Sequence, residues 1–238
     1  MHEWARRGSM SQVKLQKRWE RLRGRYDVLL VLILLAIIVQ MADPATDGPH
    51  IARTILQGVI LVVAVAVARP DMKLIRYAIV FAVILITCDL FGTFLGQSAS
   101  TGVARVTSLL LVIVTPVAIV SGLFQHLRKD GVTVQVMFGA LCLYLLIGVA
   151  FSTIYAVDGE FFEKQFFVKG AGTPANYLYF SFVTLTTVGY GDLIAAGGIG
   201  RGFAIAEALF GQIYLVTVVA LIVANLKRPQ ARSSRKRN

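Results

Sequence analysis

One short segment of the chain has residue types that could bind a bare cation: TLTTVGYGDL, from Thr184 to Leu193. A dehydrated monovalent cation needs oxygen atoms to replace its water, and backbone carbonyls supply them when successive residues point them the same way. That requires positive φ at alternate residues, which glycine adopts at little cost. Gly189 and Gly191 occupy such alternate positions. We therefore expect five successive residues to hold the ion: Thr187, Val188, Gly189, Tyr190 and Gly191.

A single copy of this segment cannot enclose an ion. It contributes one oxygen per layer on one side of the path, and the chain contains it once. Four copies would close the cage, so a homotetramer is expected. The hydroxyl of Thr187 can add an oxygen at the innermost layer. The side chains of Val188 and Tyr190 are expected to point away from the path and pack behind the loop.

The elements around this segment have the composition of a membrane protein. The chain of 238 residues is 16% charged and 56% hydrophobic, whereas soluble domains carry about 25% charged residues. A spanning helix needs about 20 mostly apolar residues. Six uncharged runs reach that length, or approach it with a flanking arginine: Val28–Ala42, Thr54–Ala68, Tyr77–Cys88, Val106–Gln125, Gly131–Val157 and Ala208–Leu226. The sequence thus predicts an all-α membrane protein with six transmembrane helices and a re-entrant segment between the fifth and sixth.

Basic and non-basic segments alternate along the chain. Residues 1–27 carry eight Lys and Arg, and the segments after the second, fourth and sixth runs are also basic. The positive-inside rule then predicts that both termini lie in the cytoplasm and that the segment Thr184–Leu193 lies near the outer face. We expect the membrane to be the plasma membrane. A cleaved signal peptide over residues 1–42 is a weaker alternative, because its leading region is long and contains three acidic residues.

The amino-terminal segment has the pattern of a basic amphipathic helix. Leu15, Trp19, Leu22 and Tyr26 are spaced to share one helix face, and basic residues surround that face. We expect this helix to lie on anionic lipids of the inner leaflet. Nucleic-acid binding is disfavoured by the adjacent membrane, and a simple extension of the first span is the remaining alternative.

The string TTVGYGDL resembles the selectivity filter of tetrameric potassium channels. Members of that family place a short pore helix before the filter, and here Pro174 precedes a candidate helix over Ala175–Thr186. They also carry a hinge glycine in the inner helix, and Gly211 stands 20 residues after Gly191. The resemblance covers roughly Gly131–Leu226. It implies passive conduction of K⁺, with K⁺ ions in the filter, no organic cofactor and no enzymatic activity.

The resemblance also implies residues that support the filter. Asp192 matches an acidic residue that hydrogen-bonds an aromatic side chain of the pore helix. Tyr179 and Phe180 stand where the family often has two tryptophans, and only the tyrosine can form such a bond. Val183 replaces a glutamate found in one bacterial member. The expected supporting residues are therefore Asp192, Tyr179, Phe180 and Thr186.

The last apolar run is expected to line the cavity below the filter. A helix over it places Leu215, Val219 and Val223 on the same stripe as Gly211, at i+4 spacing. That stripe could form an apolar constriction that gates by dewetting. Glu207, near the start of this run, either braces the pore helix or is a solvated acid.

The fourth run lacks the charge pattern of a voltage sensor. Moving one charge across the membrane is worth about 2.3 kcal/mol per 100 mV, so steep gating needs several spaced arginines. Residues 103–124 contain only Arg105, together with Pro116, and steep voltage gating is not expected. Asp89 in the third run could pair with Arg105 or Arg53, or be an interfacial acid.

These predictions divide the chain into four parts: a basic cytoplasmic segment 1–27, a four-helix peripheral membrane domain 28–130, a pore domain 131–226 and a basic cytoplasmic tail 227–238. The glycines at positions 197, 198, 200 and 202 are expected to form a flexible outer loop. Two other functions remain open: the membrane subunit of a coupled K⁺ transporter, and a non-conducting membrane sensor or scaffold.

Overall fold

The computed structural model describes residues 25–42, 50–68, 71–94, 97–130, 133–162, 165–170 and 172–226. The described residues form seven helices, numbered in chain order: α1 (Tyr26–Ala42), α2 (His50–Ala68), α3 (Met72–Phe94), α4 (Gln97–Asp130), α5 (Val134–Phe161), α6 (Pro174–Leu185) and α7 (Gly198–Leu226). One isolated bridge joins Phe167 to Ala195. The prediction of an all-helical chain is confirmed for the residues that the structure describes.

Four helices contain stretches long and apolar enough to cross a membrane: Met72–Gly92, Gly102–Leu127, Val134–Phe161 and Gly198–Leu221. Shorter apolar stretches, Tyr26–Met41 and Arg53–Ala68, belong to α1 and α2. The 12-residue α6 is too short to cross, because a spanning helix needs about 20 residues. These helices are those of an integral membrane protein.

The helices pack so that α6 is held from three sides. α2 packs against α1, α3 and α4, while α5 packs against α1, α4, α6 and α7. α6 contacts α1, α5 and α7. The apolar core between α1, α2, α4 and α5 includes Leu29, Ile33, Ala64, Ile119 and Leu146. The helix before the predicted filter, α6, is therefore positioned by its packing against these three helices.

The structure changes the interpretation of Tyr26. The side chain of Tyr26 is fully buried in α1, and its ring meets His126 edge-on at 6.1 Å between centroids. Its backbone N–H donates to Gln135 Oε1 at 2.9 Å. Placing Tyr26 on a lipid-facing stripe was therefore wrong, because the residue is part of the core. The other members of that stripe, and the tail 227–238, lie outside the described residues.

The suggested pairing of Asp89 with Arg105 is also wrong. Asp89 is fully buried on α3 and accepts a hydrogen bond from Thr54 Oγ1 on α2 at 2.7 Å. Arg105 instead forms an ion pair with Glu160 on α5, with Nε 3.0 Å from Oε2. Asp89 is thus a buried contact between α3 and α2, three residues before the end of the candidate span Met72–Gly92.

The glycine-rich segment after the predicted filter is not a loop. α7 begins at Gly198, so three of the four glycines lie in its first turns. Arg201 stabilises this start, because its backbone N–H donates to Gly197 O at 3.2 Å and its Nε donates to Ala195 O at 3.0 Å. The expectation of a flexible outer loop is corrected on this point.

Candidate functional site

α6 is a short helix with well-formed ends. Thr173 caps its start by accepting a hydrogen bond from the backbone N–H of Asn176 at 3.2 Å, and Pro174 occupies the first turn. The helix ends where Thr186 donates its backbone N–H to Phe182 O at 3.0 Å. The side chain of Thr186 donates to that same oxygen at 2.6 Å. These hydrogen bonds therefore fix the position of Thr186, from which the next segment begins.

The backbone of residues 187–191 has positive φ at alternate positions. Thr187, Gly189 and Gly191 have φ of 58°, 59° and 78°. The two glycines are those that the sequence analysis selected, whereas Thr187 was not foreseen at positive φ. The left-handed conformation costs a residue with a Cβ about 1–2 kcal/mol. The surrounding contacts must therefore hold Thr187 in it.

Those contacts are hydrogen bonds from the segment back to α6. The backbone N–H of Thr187 donates to Thr184 O at 2.9 Å, and that of Val188 donates to Val183 O at 3.0 Å. The N–H of Gly189 also reaches Val183 O, at 3.4 Å. Among the described residues, no donor bonds to the carbonyl oxygens of residues 187–191. The amides of residues 187–189 are thus bound to the helix, while the carbonyls of residues 187–191 stay available to a ligand.

The outer end of the segment is attached to α6 by two aromatic side chains. Tyr179 Oη donates to Asp192 Oδ2 at 2.8 Å, which raises the pKa of this tyrosine above its ordinary value. The ring of Tyr190 stacks on that of Tyr179 with 6.5 Å between centroids. Within one chain Tyr190 is still 71% exposed and Val188 53% exposed. Any further packing of these side chains must come from outside the described residues.

Phe180 lies in a separate aromatic cluster behind α6. Its ring centroid is 5.1 Å from that of Tyr155 and 5.5 Å from that of Phe167. Phe166 and Tyr177 complete the cluster. Phe180 therefore anchors α6 to α5 and to the segment 165–170, and it makes no contact with Asp192 comparable to that of Tyr179.

The buried carboxyl group of Glu207 connects three helices. It is fully buried on α7 and accepts hydrogen bonds from Tyr155 on α5 and Ser181 on α6, both at 2.5 Å. Ser181 Oγ also lies 2.6 Å from Gly148 O on α5. The structure thus favours the bracing alternative for Glu207 over a solvated acid. The sequence did not indicate Tyr155 and Ser181, because only their polarity distinguishes them from their neighbours.

α7 comes closest to the end of α6 at Gly211. A Cβ at this position would lie 2.6 Å from Leu185 O and 2.9 Å from Leu185 Cδ1, so the crossing needs glycine. α7 is unbroken here. This close approach brings the neighbouring Gln212 within reach of the segment, and its Nε2 donates to Thr187 Oγ1 at 3.2 Å. Sequence reasoning missed Gln212, although an amide in an otherwise apolar run was a usable signal.

The expected cavity stripe lies further along α7. Leu215, Val219 and Val223 are 40%, 56% and 46% exposed in a single chain. They follow Gly211 along the helix at intervals of four residues. Their exposure fits a face that either lines a path or meets another copy of the chain.

Arg105 links the peripheral helices to the outer end of the site. Besides its ion pair with Glu160, it donates to Ala156 O at 2.9 Å. Its guanidinium lies 5.7 Å from the centroid of the Tyr177 ring, within the range of a cation–π contact. Arg105 is therefore held between α4, α5 and α6.

Comparisons with known proteins match the part of the chain that contains α5, α6, the predicted filter and α7. Residues 139–228 match the family model described as "Ion channel". An inward rectifier potassium channel, Kirbac3.1 of Paramagnetospirillum magnetotacticum, is 33% identical over 89 residues, which cover 37% of this chain and 29% of the relative. A putative potassium channel protein of Rhodopseudomonas palustris is 35% identical over 77 residues, covering 32% and 17%.

A potassium voltage-gated channel protein of Caenorhabditis elegans is 35% identical over 88 residues, covering 36% of this chain and 16% of the relative. The chain thus spans less than a third of the length of these relatives. No solved structure matches significantly. The three relatives are named as potassium channels.

Proposed function

We propose that the chain is one subunit of a homotetrameric, K⁺-selective channel that conducts passively through the backbone carbonyls of residues 187–191. The observation that carries this proposal is the alternation of positive φ at Thr187, Gly189 and Gly191. The amides of residues 187–189 donate to carbonyl oxygens of α6, and a carbonyl cage needs the carbonyls of the segment to remain available in this way.

Four copies are proposed because one copy leaves the ion path open. The ion-facing residues 187–191 are all exposed in a single chain, and each layer needs oxygens from every side. The apolar faces of α7 that remain exposed, which include Ile213 and Val216 at 63% and 67%, are then available for contacts between subunits. K⁺ is the cargo of this path, and no organic cofactor is required for it.

We further propose that α1 to α5 and α7 span the membrane and that α6 is a re-entrant pore helix. In this arrangement residues 28–130 surround a pore domain formed by residues 131–226, and both termini lie on the cytoplasmic side of the plasma membrane. The length of α6 supports re-entry, because 12 residues rise only about 18 Å. α1 and α2 would cross with help from flanking polar residues.

Steep voltage gating is not part of the proposal. The candidate span Gly102–Leu127 of α4 contains a single basic residue of the Lys/Arg type, Arg105. That residue is held by Glu160 and by Ala156 O. A charge fixed in this way transfers little across the field, and each charge moved is worth about 2.3 kcal/mol per 100 mV.

Flux measurements on the reconstituted full chain would test the function. Liposomes loaded with K⁺ or with Na⁺ should release K⁺ rapidly and Na⁺ slowly. Equal release of both ions would reject selectivity, and the absence of flux from folded tetramers would favour a scaffold. Uphill K⁺ movement coupled to a second ion or to nucleotide hydrolysis would favour a transporter.

The sharpest variant for this assay is Gly189→Ala. Alanine at φ 59° is strained, although a Cβ there meets no atom within 4 Å in the single chain. We expect selectivity to be lost while assembly persists. Gly202→Ala is the matched control, since a Cβ there also meets nothing within 4 Å and the helical backbone accepts alanine. Wild-type selectivity in Gly189→Ala would contradict the carbonyl cage.

A further inference from the structure

Gln212 is the one polar side chain of α7 that contacts the proposed filter among the described residues. Between positions 208 and 223 the sequence offers three polar side chains, those of Gln212, Tyr214 and Thr217. The hydroxyl of Tyr214 is used elsewhere, because it donates to Ala140 O on α5. Gln212 Nε2 donates to Thr187 Oγ1 at 3.2 Å.

This contact acts on the atom at the inner end of the segment. A threonine hydroxyl has one proton and two lone pairs. When Gln212 donates to Thr187 Oγ1, it occupies one lone pair and fixes the direction of the other. The same contact helps to hold Thr187 at φ 58°, which a residue with a Cβ rarely adopts.

The other end of the Gln212 amide is also available for binding. The side chain is exposed in the single chain, and Oε1 has no hydrogen-bond partner among the described residues. An amide oxygen is a hard ligand that suits K⁺ and Ba²⁺. Four copies of the chain would place four such oxygens around the axis, directly below the innermost layer of the filter.

We propose that Gln212 sets the cation affinity of the inner mouth of the filter, by orienting the Thr187 hydroxyl and by supplying a ring of amide oxygens below it. The site takes K⁺ and, more tightly, a dication of similar size such as Ba²⁺. This inference rests on the proposed function, because the ring exists only in the tetramer. Gln212 is a ligand of the ion through Oε1 and a positioning residue through Nε2.

Two substitutions separate binding from mere support of the fold. Gln212→Leu removes both the donor and the oxygen, whereas Gln212→Glu removes the donor but keeps the oxygen and adds negative charge. We expect the Ba²⁺ concentration for half-block from the α7 carboxyl-terminal side to rise about three- to tenfold in Gln212→Leu, as for one lost hydrogen bond. In Gln212→Glu it should fall by about tenfold or more.

The proposal requires the Ba²⁺ concentration for half-block to rise in Gln212→Leu and to fall in Gln212→Glu. The rise in Gln212→Leu decides, because a carboxylate attracts Ba²⁺ by its charge alone. If Gln212 only ties α7 to the filter, folded Gln212→Leu tetramers keep the wild-type half-block concentration, which would overturn the proposal. Thr217→Val is the matched control: it removes a polar group from the same helix five residues further on, and it should leave block unchanged. If Gln212→Leu does not assemble, Gln212→Met, which also lacks the donor and the oxygen, takes its place.

A measurement that needs no conduction keeps this test apart from the proposed function. Ba²⁺ binding to detergent-solubilised tetramers, followed by calorimetry, should weaken in Gln212→Leu and strengthen in Gln212→Glu. If wild-type liposomes show no K⁺ flux while these binding shifts appear, the channel function fails and the binding site stands. If wild type conducts and neither shift appears, the inference about Gln212 fails alone.

Discussion

Replacing Glu207 should loosen the helix that precedes the proposed filter. In Glu207→Ala, the hydroxyl of Tyr155 loses the acceptor that it has at 2.5 Å. Tyr155 is fully buried, and an unsatisfied buried donor costs about 1–3 kcal/mol. Ser181 keeps a second acceptor, Gly148 O at 2.6 Å, so its loss is smaller, about 0.5–1.5 kcal/mol.

The two contributions together give a loss of about 1.5–4.5 kcal/mol in the free energy of unfolding, before any cost of the space left by the missing side chain. Glu207→Gln should cost much less, about 0–1.5 kcal/mol, because the amide has nearly the same shape. Its oxygen can accept from one hydroxyl, and its nitrogen can donate to the other. The expected order of stability is wild type, Gln and then Ala.

An SDS unfolding titration of the purified full chain in mixed micelles would measure these differences. Tyr155→Phe provides a double-mutant cycle, since it removes the same hydrogen bond from the other side. Neighbours that interact directly show coupling energies of about 0.5–3 kcal/mol. Additive effects of Tyr155→Phe and Glu207→Ala, or an alanine variant as stable as the glutamine variant, would refute the bracing role.

Three further substitutions test the remaining contacts of the site. Gly211→Ala puts a Cβ 2.6 Å from a carbonyl oxygen at the end of α6, so it should cost about 1–3 kcal/mol of stability by overpacking, measured by the same SDS titration. Tyr179→Phe removes the bond to Asp192 and should shorten the time over which reconstituted liposomes sustain K⁺ flux; equal persistence would contradict it. Arg105→Gln breaks the ion pair with Glu160 and should cost about 1–2 kcal/mol, reduced because both groups are partly exposed, while leaving the voltage dependence of currents in planar bilayers unchanged.

The sequence predicted the backbone conformation at two positions of the proposed filter, because glycine is the residue type that adopts positive φ at little cost. Glycines spaced two apart indicated where positive φ would occur, and Gly189 and Gly191 have it. Thr187 was not predicted at positive φ, since a β-branched residue disfavours that region. Its conformation depends on hydrogen bonds to Thr184 O and from Gln212, and the second comes from a residue 25 positions away.

Helix boundaries were predicted less well than the existence of helices. The uncharged runs located the apolar stretches of the long helices, but α3 and α4 extend to 23 and 34 residues. Glycines at 198, 200 and 202 favour a loop by propensity. The structure starts α7 there, and Arg201 stabilises this start by donating to Ala195 O and Gly197 O. Residue propensity alone does not show these local hydrogen bonds.

The hydrogen bonds that hold α6 share one physical property, and this property explains why the sequence did not predict their partners. Each joins a polar group in an apolar helix to a partner far along the chain: Glu207 to Tyr155 across 52 positions, and Glu207 to Ser181 across 26. An isolated polar residue in an apolar run must find a partner when it is buried, because an unpaired one costs free energy. The sequence therefore indicates that Glu207 and Asp89 need partners if they are buried, but it does not indicate which residues those partners are. Since α5, α6 and α7 meet at Glu207, the position of α6 depends on two hydroxyl groups that periodicity cannot distinguish from their neighbours.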